Sequence, residues 1–230
     1  GEQRRLYDAH EQELRLSLTG QDDAAFTSGK LAVLAELMRL RQICCDPGLL
    51  YEDYKGPSAK LDAIMDLIQA ARDSGQKSLV FSQFTIYLDL IVARLDAAGV
   101  PYFRIVGATP KQTRLDLVNR FNADDTPVFL VSLKAGGTGL NLTGASVVIH
   151  ADPWWNAAAQ NQATDRAHRI GQTRSVSVYK VIAKGTIEER IVQLQAAKSD
   201  LADSVMGVEN ASIASLTKQD LINLLGDADA

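Results

Sequence analysis

The chain has 230 residues, 46% of them apolar, and a formal net charge of −4. That is enough for a sizeable core, as one domain or as a domain with a helical appendage. No apolar run approaches the roughly 18 residues a membrane span needs, the polar start Gly1-Glu2-Gln3-Arg4-Arg5 has no signal-peptide pattern, and the acidic balance lacks the basic footprint of a free-standing nucleic-acid binder.

Residues 1–55 read as a helical protrusion and linker. Leu6, Leu14, Leu16 and Leu18 precede a polar break at Gly20-Gln21-Asp22-Asp23. Leu34, Leu37, Met38 and Leu40 then keep helical spacing within a run from Leu31 to Ile43, which Pro47-Gly48 stops. Cys44 and Cys45 are adjacent and are the only cysteines. They read as small core residues of a reducing cytosol. With His10, His150 and His168 scattered, neither a zinc site nor any other metal site is expected.

From residue 56 to about 185 the pattern changes. Ser58 is placed to cap a helix bearing Leu61, Ile64, Met65 and Ile68, ending near Gly75. Strands are expected at Ser78–Phe81, Tyr102–Val106, Val128–Val131, Val147–Ile149 and Val176–Ile182. Helices are expected at Phe84–Leu95 and Pro110–Phe121, the second with Thr109 as cap and Pro110 in the first turn. Unbroken apolar strands between amphipathic helices indicate an α/β fold with a mostly parallel sheet covered on both faces. Function in such sheets gathers in loops at the carboxyl ends of the strands. Residues 186–230 read as C-terminal helices: Thr186-Ile187-Glu188-Glu189 has capping-box form ahead of a stripe of Ile187, Ile191, Leu194 and Leu201, and Thr217-Lys218-Gln219-Asp220 opens a shorter helix with Leu221, Leu224 and Leu225.

Lys134-Ala135-Gly136-Gly137-Thr138-Gly139-Leu140-Asn141 follows the third strand. Its glycines permit positive φ and a row of exposed N–H groups that can cradle an anion; the plainer reading is a tight turn. It is neither a Walker A loop nor a dinucleotide fingerprint, since Leu142 stands at the third glycine position. Asn156 is placed to cap a helix running to about Ile170, in which Gln162, Arg166 and Arg169 share one face at i, i+4 and i+7. Two arginines on one rigid helix can clamp a phosphate; the alternative is a solvated face with an Asp165–Arg169 pair. Trp154 and Trp155 follow Pro153, and their adjacency predicts that one ring is exposed near a ligand. Thr109 and the free N–H groups after it suit a helix cap and a DNA phosphate alike.

Together these segments resemble the Swi/Snf-type branch of superfamily-two helicases. The carriers are Leu40-Arg41-Gln42-Ile43-Cys44-Cys45-Asp46-Pro47, Ser78 to Thr85, Val131-Ser132-Leu133-Lys134 through Leu142-Thr143, Ala151-Asp152-Pro153-Trp154-Trp155-Asn156, and Gln162-Ala163-Thr164-Asp165-Arg166-Ala167-His168-Arg169-Ile170-Gly171-Gln172. The Lys134 form looks bacterial. Asp46, Ala157 and Gln160 depart from the usual His, Pro and acidic residue. The resemblance implies the second of two RecA-like lobes, with ATP and Mg²⁺ held mainly by a first lobe that this sequence does not include. It implies Arg166 and Arg169 as arginine fingers, Gly139, Asn141 and Gln162 at the nucleotide, and Ser82, Gln83, Thr109, Ser132, Lys134, Gly136 and Trp154 facing double-stranded DNA. It implies as partners that first lobe and a DNA-bound protein complex, with no membrane, in the cytoplasm at the nucleoid. Two other classes remain: a non-catalytic binding or regulatory module, which the two arginines argue against, and an RNA helicase lobe, which Trp154-Trp155-Asn156 and Gln172 argue against.

Overall fold

In a computed structural model of the chain, residues 1–136, 139–168, 172–204 and 216–226 are described. The chain divides into two compact units. One comprises Gly1–Ser58, Trp155–Ala157 and Ile182–Ala230; the other comprises Ala59–Trp154 and Ala158–Val181. The first unit therefore joins segments from opposite ends of the sequence.

The second unit contains β1 (Ser78–Ser82), β2 (Tyr102–Ile105), β3 (Val128–Ser132), β4 (Val147–His150) and β5 (Ser177–Lys180), in the sheet order β2-β3-β1-β4-β5. Every pairing is parallel. The central strands β1 and β3 are buried at all five positions, as a sheet covered on both faces requires. The outer strand β5 is exposed at all four. The helices α3 (Ala59–Asp73), α4 (Thr85–Ala97), α5 (Lys111–Ala123), the short α6 (Leu133–Gly136) and α7 (Ala157–Thr164) fall between or before these strands. Leu79, Phe81, Phe129, Val131 and Val148 form one side of the core with Val118 and Phe121 of α5. Phe121 meets Phe129 edge-on at 5.1 Å, the favoured geometry for aromatic pairs. Gly75, at φ +65°, ends α3: its N–H bonds to Arg72 and that of Gln76 to Ala71, a left-handed stop that a Cβ would disfavour.

The first unit packs α1 (Glu2–Thr19) and α2 (Asp23–Cys45) with α8 (Ile187–Ser204) and α9 (Lys218–Leu225). Asp22 caps α2 by accepting from Ala25 N–H, so the helix starts eight residues before the apolar run that marks it in the sequence. Leu14, Leu18, Leu37, Leu40, Ile43, Ile187, Ile191, Leu221 and Leu225 make the core. Leu194 packs against it half-buried; the side chain of Leu201 lies outside the described residues. The buried Tyr7 hydroxyl accepts from Ile187 N–H at 2.7 Å and donates to Glu11; burial, above all, raises its pKa. Arg15 donates to the carbonyls of Leu225 and Gly226, and Arg190 to that of Leu224. These arginines satisfy the orphan carbonyls at the end of α9 and complement its dipole.

Two local expectations change. Ser58 donates its hydroxyl to the Cys45 carbonyl at 2.8 Å. Thr186 accepts from Glu188 N–H, while Glu189 reaches Gly185 N–H instead of the cap's own amide; the box is shifted by one residue. The capping box at Thr217 and Asp220 is complete. Asp46, one of the departures from the family pattern, caps the 3-10 turn Pro47–Leu49 by accepting from Gly48 N–H at 2.6 Å.

Candidate nucleotide and nucleic-acid site

The carboxyl ends of the parallel strands carry the site. β1 and β3 end side by side in register at Ser82 and Ser132. Both side chains are buried, at 0% and 1% exposure. Ser82 Oγ donates to Asp152 Oδ2 at 2.5 Å, and Gln83 N–H points to the same carboxylate at 3.2 Å. Gln83 Nε2 donates to the Pro153 carbonyl at 2.8 Å. Asp152 is itself fully buried, and its carboxyl oxygens face these donors, as a buried polar group requires. The loops after β1 and β4 are thereby tied together.

Trp154 is 2% exposed. Its ring meets Phe81 at 6.2 Å and His150 at 5.7 Å, edge-on in both cases. Phe81 and His150 stack at 5.5 Å across the β1–β4 register. Adjacency of the tryptophans predicts an exposed ring; Trp154 is buried because this aromatic cluster takes its apolar body, and Trp155 is half-buried, 5.4 Å from the Arg41 guanidinium. That cation–π pair joins the protrusion signature to the tryptophan segment within the first unit.

Buried His150 has its pKa lowered to about 4, chiefly by desolvation and then by Lys180. The ring is therefore neutral near pH 7, and its Nε2 lies 2.9 Å from Thr164 Oγ1. Gln160, another family departure, is buried and accepts Trp154 N–H at 3.1 Å through Oε1, a bond an acidic side chain would also make.

The arginine segment departs from the expected helix. α7 ends at Thr164, and residues 165–167 form turns in which Arg166 N–H bonds to Ala163 and Ala167 N–H to Thr164. Gln162 and Arg166 therefore do not share one helical face. Gln162 is exposed, and Arg166 is 3% exposed. Arg169 lies outside the described residues, as does the side chain of Lys134, whose backbone is in α6. Gly136 closes α6. Gly139 is exposed with φ +62°, and Asn141 is exposed. Leu142 N–H donates to the Arg166 carbonyl at 3.0 Å. The glycine-bearing loop and the arginine turn, more than 20 residues apart in sequence, are thus adjacent.

Thr109 does not cap α5. Its Oγ1 accepts from Val106 N–H at 3.0 Å and closes the turn after β2, and the cap position belongs to Pro110. Arg114 fastens this loop with bonds to the carbonyls of Thr109 at 2.7 Å and Gly107 at 2.8 Å. The residues that hold the loops in place — Asp152, Asn122, Arg114 and Gln172 — are missed as a group by sequence reasoning. Asp152 and Gln172 stand inside quoted motifs, but no spacing rule gives their partners. Among the described residues no group of three or more His, Cys, Asp or Glu side chains stands together to hold a metal, and no helix is long and apolar enough to cross a membrane.

A parallel five-stranded sheet with a glycine-bearing loop beside an arginine-bearing turn defines a RecA-like lobe. Residues 59–171 match the helicase conserved C-terminal domain. YwqA of Bacillus subtilis, whose name describes an ATP-dependent helicase/translocase, is 41% identical over 214 residues, which is 90% of this chain and 22% of that protein. The SWI2/SNF2 ATPase core of Sulfolobus solfataricus in complex with dsDNA superposes with a TM-score of 0.79 at 32% identity, covering 98% of this chain and 48% of that one. Its separate C-terminal domain gives 0.75 at 29%, covering 98% and 93%. The chain belongs to the Swi2/Snf2-type superfamily-two helicases and is a C-terminal helicase lobe of that family. It spans less than a quarter of the length of the curated relatives it matches, 19% and 22% for two of them.

Proposed function

We propose that this lobe is the second half of an ATP-driven motor that tracks double-stranded DNA, and that Arg166 and Arg169 are its arginine fingers. The observation that carries the reading is the bond from Leu142 N–H to the Arg166 carbonyl, which sets the arginine turn against the loop bearing Gly139 and Asn141. Arginines at that place neutralise charge developing on a transferring phosphoryl group, and in a site that excludes water such charges act strongly. Arg166 is already withdrawn from water at 3% exposure.

The sequence contains no phosphate-binding Gly-x-x-x-x-Gly-Lys-Ser/Thr loop, so ATP and Mg²⁺ belong mainly to a first lobe. Mg²⁺ there would supply positive charge that offsets the charge of the phosphates. This chain contributes the arginines, the ribose-side loop of Gly139 and Asn141, and Gln162 on α7 as a nucleotide sensor. The segments at Ser82–Gln83, Thr109, Ser132–Gly136 and Trp154 share the carboxyl end of the sheet, and we assign them to the DNA backbone. Because the Ser82, Ser132 and Trp154 side chains are buried, their part is to shape the surface while neighbouring backbone N–H groups meet phosphates; such contacts position a protein without reading sequence. A motor of this kind works at the nucleoid, in the cytoplasm, on DNA carrying other proteins.

The test is ATP turnover by the full chain carrying both lobes, with double-stranded DNA, single-stranded DNA or RNA added. The proposal expects stimulation by duplex DNA. Equal stimulation by RNA, or none by any nucleic acid, overturns it.

A further inference from the structure

The loop after the glycines has its backbone groups taken up one by one. Asn122 Nδ2 donates to the Asn141 carbonyl at 2.8 Å, and its Oδ1 accepts Gly144 N–H at 2.9 Å. Leu142 N–H goes to the Arg166 carbonyl. Three carbonyls converge on one side chain: Gln172 Nε2 lies 2.9 Å from Thr143 O, 2.9 Å from Ala145 O and 3.1 Å from Ala167 O. Gln172 Oε1 accepts Arg174 N–H at 3.0 Å, which fixes which end of the amide faces the carbonyls. Two of those carbonyls belong to the nucleotide-side loop and the third to the arginine turn.

We propose that Gln172 is a positioning residue for phosphoryl transfer: its amide locks the 141–145 loop to the Arg166–Ala167 turn, so that ribose-side contacts and the arginine charge move as one piece. The inference rests on the ATPase reading above. An amide NH₂ has two hydrogens, so the three acceptors share them. A methionine fills the same space without donating. A glutamate places a carboxylate against three carbonyl oxygens and becomes a donor only when protonated. Misplacing a catalytic group by about 1 Å costs on the order of 100-fold in rate, so the lock acts on turnover more than on binding.

The experiment uses the full chain carrying both lobes, with ATP and saturating duplex DNA. Gln172→Met should lower kcat on the order of 10- to 100-fold, with the ATP KM and the DNA concentration at half-activation within about twofold of wild type. Gln172→Glu should be worse than Gln172→Met at pH 8 and recover as pH falls towards 6, a profile the methionine variant lacks. Turnover by Gln172→Met within twofold of wild type, or equal losses for both variants with no difference in pH profile, overturns the proposal. Should the variants fail to fold, hydrogen exchange on the wild-type chain decides: amides of 141–145 and 165–167 should open together as one cooperative unit, and independent opening overturns it. A wild-type chain without DNA-stimulated turnover defeats the ATPase reading instead; normal wild-type turnover with unaffected variants defeats this inference alone.

Discussion

Asp152 accepts the Ser82 hydroxyl at 2.5 Å across the gap between the loops after β4 and β1. The same carboxylate faces Gln83 N–H, and both Ser82 and Asp152 are fully buried. One acidic side chain therefore joins two loops at the business end of the sheet. Asp152→Ala would leave two donors without that acceptor, at roughly 1–3 kcal/mol for each group left unsatisfied. Melting should drop by about 2–4 °C per kcal/mol in a domain of this size. Asp152→Asn keeps one carbonyl acceptor and should lose less. Calorimetry of both variants checks the order; equal stability of wild type and Asp152→Ala would show that the carboxylate does not hold the loops.

Arg166 is buried on the turn after α7. In the full chain, Arg166→Ala should cut DNA-stimulated kcat by roughly 10³–10⁵-fold, the usual worth of an arginine finger. Arg166→Lys should not restore it, because an ammonium lacks the planar fork. Duplex binding without nucleotide should persist. Turnover near the wild-type rate in a folded Arg166→Ala protein would remove the finger assignment, and Arg169→Ala is to be read in the same assay.

The lobe alone should not hydrolyse ATP, since the phosphate loop is missing from its sequence. Phosphate release with Mg-ATP and duplex DNA should stay at background. With a net charge of −4, its DNA binding should be weak and fall steeply with salt. Sub-micromolar affinity at physiological salt would contradict this, as would a sequence preference.

His150 makes stability fall in mild acid. Its folded pKa of about 4 lies below the ordinary value of 6.5, so the unfolded chain binds this proton first. Stability from this group is fully present above pH 6.5 and is lost as pH falls towards 4, below which the loss levels off. Each pKa unit corresponds to about 1.4 kcal/mol, so the loss is a few kcal/mol at most. Urea unfolding between pH 7.5 and 4 should show a slope that His150→Gln flattens. Parallel profiles for the two proteins would mean that other groups carry the acid sensitivity.

The strands β1, β3 and β4 are legible in the sequence because continuous apolar runs such as Ser78–Phe81 and Val128–Val131 suit strands covered on both faces, as in a parallel sheet. The breaks at Gly20 and Pro47 and the cap at Thr217 are equally readable, since turn and cap chemistry is local. The site motifs are visible as residue types in order: glycines after a strand, then Trp154-Trp155-Asn156, then Gln162, Arg166 and Arg169. What periodicity could not supply was where the helix carrying Gln162 stops. It ends at Thr164, and the next turn is held by long-range bonds from Leu142 to Arg166 and from Gln172 to Thr143, Ala145 and Ala167. The burial of Trp154 likewise depends on Phe81 and His150, 69 residues apart along the chain but neighbours across β1 and β4. Local spacing encodes backbone periods of two and 3.6 residues. Which side chain meets which carbonyl is set only when the strands pair, so the loop locks at Asp152, Asn122 and Gln172 belong to the tertiary structure alone.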